Sequence, residues 1–155
     1  MNMRVLEKKL KYMVPELRLA LIREPGVEAQ AVRCPDDVEK FVEPLKHYSE
    51  EHFVAFHLDA KQNVIGYHVA SHGTVSSSLV HPREVFKAAI LNNSMAVLVA
   101  HNHPAGSQEP SEDDLKITRQ LVQAGQLMCV SVIDHVIVTA RGIYSLREHY
   151  PSLWD

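Results

Sequence analysis

Two imidazoles, a hydroxyl and a carboxylate lie within fourteen residues of one another, at the end of an apolar segment. His101 and His103 directly follow the apolar residues 96–100, and Ser111 and Asp114 come shortly after them. Because side chains two apart in a strand share a face, the two imidazoles are predicted to point to the same side. A loop with proline and glycine allows Asp114 to fold back as a third ligand. Two histidines and one carboxylate suit a tetrahedral Zn²⁺ that keeps its fourth position for water, so the pattern predicts a zinc hydrolase site.

The spacing of Ser111 and Asp114 has a second interpretation, because Ser-x-x-Asp is also a helix capping box. The two interpretations overlap, since Ser111 can cap a helix and still direct its hydroxyl into a metal site. Capping alone explains Ser111 and Asp114 and leaves the two upstream histidines unexplained.

The rest of the pattern predicts strands and helices in alternation around a buried strand at 96–100. Acidic residues after Pro35 indicate a helix start, and two β-branched runs on either side of residues 59–63 indicate a hairpin. Further helices are expected from residue 80 to about 91 and, with an amphipathic pattern, from Ser111 to about 127. Residues 130–133 and 135–138 are predicted as two last strands, followed by a turn at 141–142. This order predicts an α/β fold with a mixed sheet flanked by helices.

The chain is predicted to be one globular domain with an N-terminal extension. Residues 1–13 are predicted as a short basic arm and residues 14–22 as a leading strand, so that 1–30 precede a domain at 31–155. A chain of 155 residues is long enough for one core.

Composition limits the classes of partner. The net charge is −3, so no overall basic field favours direct nucleic-acid binding. The N-terminus lacks the apolar stretch of a signal peptide, and no segment approaches the ~20 apolar residues that span a bilayer. A cytoplasmic protein without membrane association is therefore expected, with Cys34 and Cys129 as free thiols. Exposed edge strands could pair two copies into a homodimer, although nothing in the sequence specifies one.

From about residue 30 to 150 the chain resembles the RadC family, which carries the JAB/MPN metalloprotease-like domain. The motifs that match are Glu51-His52-Phe53, Gly73-Thr74, His81-Pro82-Arg83-Glu84, His101-Asn102-His103-Pro104, Pro110-Ser111 with Asp114, and Asp134-His135. The offset of Ser and Asp after His-x-His is the signature of the active members of that superfamily. The resemblance implies a curved mixed sheet between helices (a JAB/MPN, cytidine-deaminase-like architecture), one Zn²⁺ per chain, and hydrolysis of a peptide or isopeptide bond in an unknown protein substrate.

The resemblance also implies a role for each site residue. His101, His103 and Asp114 would bind the metal, Glu51 would act as general base, and Ser111 would donate to the oxyanion of the tetrahedral intermediate. Glu50 is the alternative base if the strand register differs by one residue. Asp134-His135 suggests a hydrogen-bonding role without chemistry of its own. The other histidines are expected to be surface, capping or hydrogen-bonding residues: His52, His57, His68, His72, His81 and His149.

A second function stays open at this point, namely a non-catalytic zinc-binding RadC-like module associated with DNA repair or mobile elements. The helix-hairpin-helix segment of longer RadC-like proteins has no room in this sequence, which weakens direct DNA binding. Asn102 stands where the eukaryotic enzymes have Ser or Thr, although RadC-like proteins usually show Asn. A zinc nucleobase deaminase is excluded, because His-x-Glu with Pro-Cys-x-x-Cys is absent.

Overall fold

The computed structural model of the chain describes residues 13, 26–28, 30–33, 35–73 and 80–155. The predicted leading strand at 14–22, the predicted arm apart from Met13, Cys34 and Thr74 lie outside these residues. Cys129 is exposed and free, as predicted.

Among the described residues, six strands form one sheet in the order β1-β3-β2-β4-β5-β6. Their bounds are Gln30–Ala31 (β1), His52–Leu58 (β2), Asn63–His72 (β3), Ala96–Asn102 (β4), Ser131–Thr139 (β5) and Gly142–Ser145 (β6). All neighbouring pairs are antiparallel except β4 and β5, which are parallel. The sheet is therefore mixed, and β2 and β3 form the predicted hairpin.

Helices cover both faces of this sheet. Their bounds are Pro35–Val42 (α1), Pro82–Leu91 (α2), Glu112–Met128 (α3) and Leu146–His149 (α4), with 3₁₀ helices at Glu43–His47 and Pro151–Trp154. The α/β prediction of a mixed sheet flanked by helices is confirmed. Among the helices of the described residues, none is both long and apolar enough to cross a membrane.

Alternation along β2 and β4 divides the core between the two faces. Odd-numbered residues such as Phe53 and Val99 pack against α2 and α3, and even-numbered ones such as Phe56 and Leu98 pack against α1 and the first 3₁₀ helix. His101 is odd-numbered and lies directly opposite Phe53, so its imidazole faces α3. The strand period thus decides which helix this histidine meets.

The prediction of two strands at 130–133 and 135–138 is wrong, because β5 runs without interruption from Ser131 to Thr139. The apolar pattern changes phase at a β-bulge: Val97 pairs with Val132, whereas Leu98 pairs with Asp134. The extra residue turns the side chains after it by one position, so that Val132 and His135 lie on the same face. The phase change in the sequence marks a bulge and not a strand break.

A buried chain of hydrogen bonds ties β2, β3 and α2 together at the end of the sheet remote from His101. His57 lies 2.9 Å from His68 (Nε2 to Nδ1), and its own Nδ1 accepts from the Asn92 amide at 3.0 Å. His68 Nε2 donates to the carbonyl oxygen of Glu84 at 3.0 Å. Since that carbonyl can only accept, each proton position along the chain is fixed, and both imidazoles are neutral. The predicted hydrogen-bonding role of these two histidines is confirmed.

We expect this pair of histidines to make folding sensitive to acid. Burial, followed by repulsion from His68, lowers the pKa of His57 to about 4, and burial also lowers that of His68. Between pH 6.5 and 4 the unfolded chain therefore binds protons that the folded chain does not. The free energy of unfolding should therefore decrease as the pH is lowered through this window. The decrease is at most about 1.4 kcal/mol per pH unit for one such group.

The measurement is the urea midpoint at pH 7.0 and pH 5.0 for the unmodified chain and for His57→Gln, which lacks the titrating ring. The matched control is His72→Gln, the same substitution at an exposed position of β3. The loss on acidification should be smaller in His57→Gln and unchanged in His72→Gln. An equal loss of stability between pH 7.0 and pH 5.0 in all three proteins would contradict the attribution of the acid sensitivity to His57.

Candidate metal centre

The structure brings His101, His103 and Asp114 together where β4 ends and α3 begins. His101 Nε2 lies 3.2 Å from Asp114 Oδ1, and His103 Nε2 lies 3.4 Å from Asp114 Oδ2. The two Nε2 atoms are 2.8 Å apart. Within the described part of the chain, no other group of three or more His, Cys, Asp or Glu side chains converges in this way.

These separations fit a small divalent cation. A tetrahedral Zn²⁺ with bonds of about 2.0–2.1 Å requires neighbouring ligand atoms to be about 3.3 Å apart. The observed separations of 2.8, 3.2 and 3.4 Å are close to this 3.3 Å spacing. All candidate ligand atoms fall within 4.8 Å of one another. His101 and Asp114 are buried, and His103 is half-buried. The cluster could therefore hold a metal ion with one side open to solvent.

Asp114 is held in place by a capping box at the start of α3. Ser111 Oγ accepts from the Asp114 backbone N–H at 3.1 Å, and Asp114 Oδ2 accepts from the Ser111 backbone N–H at 2.7 Å. The Ser111 hydroxyl also donates to Oδ2 at 2.7 Å, at the exposed rim of the cluster. The capping and ligand interpretations of Asp114 are thus compatible, because the capping box fixes the carboxylate that faces the histidines.

Electrostatics in the cluster favour positive charge beside the carboxylate. Burial alone would raise the pKa of Asp114, but hydrogen bonds to His101, His103 and Ser111 outweigh it and hold that pKa well below its ordinary value. The hydrogen bond to Asp114 raises the pKa of His103 against the effect of burial, and the charge of Glu51 adds to this. A site that stabilises a proton by negative charge will also favour a divalent cation in its place.

His103 presents one particular nitrogen to the cluster. Its backbone N–H donates to the carbonyl oxygen of Val138 at 2.9 Å, which fixes the chain just beyond β4. Its Nδ1 donates to the carbonyl oxygen of Ser107 at 2.8 Å. A carbonyl cannot donate, so Nδ1 carries a proton, and Nε2, the atom that hydrogen-bonds to Asp114, is the one that would meet a cation in place of that bond.

The His101 ring contacts an aromatic ring on one side and hydrogen-bonds to a third histidine. Phe53 stacks on it with centroids 5.9 Å apart, and His135 Nε2 lies 2.8 Å from its Nδ1. Thr118 Oγ1 in turn lies 2.6 Å from His135 Nδ1. The sequence pattern predicts a hydrogen-bonding role for His135, whereas the same pattern does not single out Thr118. The signal for Thr118 is its position four residues after Asp114, which places both on one face of α3.

Glu51 and Glu50 differ clearly in their surroundings. Glu51 is half-buried immediately before β2, and its charge acts on His103. Its carbonyl oxygen accepts from Gly73 N–H at 2.9 Å. Glu50 is exposed. Of these two carboxylates, Glu51 is therefore the one whose charge acts on the cluster.

Asn102, between the two histidines, holds the segment that carries Glu51. Its side-chain oxygen accepts from the His52 backbone N–H at 2.7 Å. Its amide donates to the carbonyl oxygens of Glu50 at 3.0 Å and Tyr48 at 3.3 Å. Sequence reasoning noted this residue only as a departure from the eukaryotic pattern. The structure shows a buried amide that tethers residues 48–52 to β4.

Replacing Asn102 with alanine is expected to lower the free energy of unfolding by about 3 kcal/mol. Three part-buried hydrogen bonds of a buried side chain are lost, at roughly 1 kcal/mol each. Asn63→Ala provides the control, since the Asn63 amide makes one hydrogen bond, to Asp59 in the β2–β3 turn. Denaturant unfolding of both variants measures the difference. A loss below about 1 kcal/mol for Asn102→Ala would show that the tether is dispensable.

The family follows from a comparison with known proteins. Residues 32–151 match the family model described as "RadC-like JAB domain". The chain belongs to the RadC family. The match covers every residue of the candidate centre, from Glu51 through His135.

RadC relatives are similar over most of this chain. A UPF0758 protein of Symbiobacterium thermophilum is 48% identical over 115 residues, which are 74% of this chain and 49% of that protein. A UPF0758 protein of Rubrobacter xylanophilus is 43% identical over 133 residues (85% and 57%), and one of Geobacillus thermodenitrificans is 40% identical over 118 residues (76% and 52%). The chain thus spans about half the length of the curated relatives it matches.

Proposed function

We propose that this RadC-like chain is a zinc-dependent hydrolase of peptide or isopeptide bonds. The observation that carries the proposal is the convergence of His101, His103 and Asp114, with the charge of Glu51 acting on the same cluster. The JAB domain family includes hydrolases, which agrees with this assignment.

Zinc is the metal that the donor set favours. Two imidazole nitrogens and one carboxylate, with an open position, form a common catalytic zinc arrangement. Magnesium and calcium prefer all-oxygen ligand sets. The ligands would be Nε2 of His101, Nε2 of His103 and the carboxylate of Asp114.

Each protein group then has a defined task. A bound Zn²⁺ would supply a Lewis acid and lower the pKa of water to about 7. Glu51 would take the proton from the attacking water and pass it to the nitrogen of the leaving amine. The Ser111 hydroxyl, now donating to Asp114 Oδ2, would turn to donate to the oxyanion of the tetrahedral intermediate, an interaction worth ~3 kcal/mol.

The direct test combines metal analysis with turnover. We expect the purified chain to bind one zinc and to cleave members of a pool of quenched fluorescent peptides and lysine-linked isopeptides. A chelator should abolish cleavage, and added zinc should restore it. His103→Ala should neither bind zinc nor cleave. A chain that binds no zinc would overturn the proposal.

The second candidate is a non-catalytic metal-binding module, acting in DNA repair or on mobile elements. The observation that favours it is that two of the three ligands are buried and join the end of β4 to the start of α3, as a folding metal would. This candidate predicts salt-dependent DNA affinity that Glu51→Gln leaves unchanged. Zinc binding without cleavage of any substrate pool would also favour it.

A further inference from the structure

A line of hydrogen bonds runs from the backbone of α3 to the candidate metal ligand His101. Thr118 Oγ1 lies 2.5 Å from the Asp114 carbonyl oxygen. Because a carbonyl only accepts, the single hydroxyl proton of Thr118 is committed to it. The same oxygen lies 2.6 Å from His135 Nδ1. It can only accept there, so His135 carries a proton on Nδ1.

The position of the proton on His135 determines which nitrogen of the His101 ring is protonated. His135 is completely buried, which disfavours a charged imidazole, so its second nitrogen is unprotonated. His135 Nε2 must therefore accept from His101 Nδ1 across 2.8 Å. The proton on His101 Nδ1 is thereby fixed, so a cation that replaces the hydrogen bond between His101 Nε2 and Asp114 would meet the lone pair of Nε2, 3.2 Å from Asp114 Oδ1.

We propose that His135 and Thr118 are positioning residues that fix the tautomer of His101, so that Nε2 is presented to the metal. The inference rests on the metal centre of the proposed function. The bulge in β5 contributes to this positioning, because it places His135 on the face of the sheet that meets α3.

Loss of the hydroxyl would release this constraint. Without Thr118 Oγ1 as acceptor, His135 can move its proton from Nδ1 to Nε2 and donate to His101. His101 Nδ1 would then accept, and its own proton would sit on Nε2, in the place of the cation. For His101 to bind a metal through Nε2, His135 would have to return its proton to Nδ1, where no acceptor remains, at a cost in affinity.

The variants Thr118→Val and Thr118→Ser separate this role from packing. Valine matches threonine in shape and removes the oxygen, whereas serine keeps the oxygen and loses a methyl group. Zinc affinity is measured by competition with a chromophoric chelator. We expect zinc to bind about 10–100-fold more weakly to Thr118→Val, as on loss of other outer partners of metal-bound histidines. Thr118→Ser should bind close to the unmodified protein. Unmodified affinity in a folded Thr118→Val, or equal losses in both variants, would overturn the inference.

A measurement on the unmodified protein keeps the test independent of variant folding. Imidazole ¹⁵N–¹H NMR spectra, recorded without metal and with zinc, report which ring nitrogen bears the proton. We expect His135 protonated at Nδ1 in both states and zinc-bound His101 protonated at Nδ1. A proton on His135 Nε2 would overturn the inference. A protein with the expected tautomers that cleaves nothing would contradict the proposed hydrolysis and leave this inference intact.

Discussion

Replacing Asp114 with asparagine is expected to weaken zinc binding at least a thousandfold, while α3 stays folded. The carboxylate is the only anionic member of the three-residue cluster, and its amide counterpart is a poor zinc ligand. The loss should exceed the roughly 10–100-fold that removal of an outer partner costs. The asparagine oxygen can still accept from the Ser111 backbone N–H, so the cap survives with a weaker interaction with the helix dipole.

Glu112→Gln is the matched control for this prediction. It makes the same change of charge two residues earlier, in the first turn of α3, on an exposed side chain. Competition with a chelator gives the zinc affinities, and circular dichroism checks the fold. Equal zinc affinity in Asp114→Asn and Glu112→Gln would remove Asp114 from the ligand set.

Replacing Glu51 with glutamine is expected to reduce turnover about 10²–10⁴-fold without loss of zinc. Glutamine has nearly the same shape but cannot accept the proton of the attacking water, and general-base catalysis typically contributes a factor of this size. Zinc affinity should be retained, because Glu51 is not among the three converging ligands. Steady-state rates on the best substrate pool, together with zinc content, measure the two effects separately.

Glu50→Gln is the control, since it places the same substitution one residue away on an exposed side chain. It should turn over close to the unmodified rate. If Glu50→Gln were the inactive variant, the register alternative would be correct. If both variants were active, the proton would be taken by another group.

Much of the centre could be predicted because it depends on local periodicity. His101 lies in β4 and His103 directly follows its last residue, so the extended period of two accounts for their shared side. The capping box places Asp114 at the start of a helix without any tertiary information. The buried strand at 96–100 and the helix from residue 111 were likewise confirmed, because their patterns are continuous.

The features of the centre that the sequence pattern does not predict depend on contacts between segments that are distant in the chain. Thr118 acquires its role only because α3 packs over β5, seventeen residues further along the chain. Asn102 bonds to residues about fifty positions earlier, a pairing set by the β2–β4 register. The sequence predicts a break in place of the β5 bulge, because an extra residue and a chain interruption disturb the alternation of apolar residues in the same way.

That single additional residue in β5 makes the bulge, together with the spacing from Val132 to His135, a criterion for related proteins. In a homologue whose β5 keeps the three-residue step from Val132 to His135 but pairs with β4 without the bulge, the imidazole equivalent to His135 would face α1, and His101 would lose its acceptor. Such a homologue could keep every motif of the centre and still lack this support. Designs that transplant the His-x-His and Asp arrangement to another sheet will need an acceptor on the face that meets the helix, either at an even spacing along a regular strand or at an odd spacing across the same irregularity.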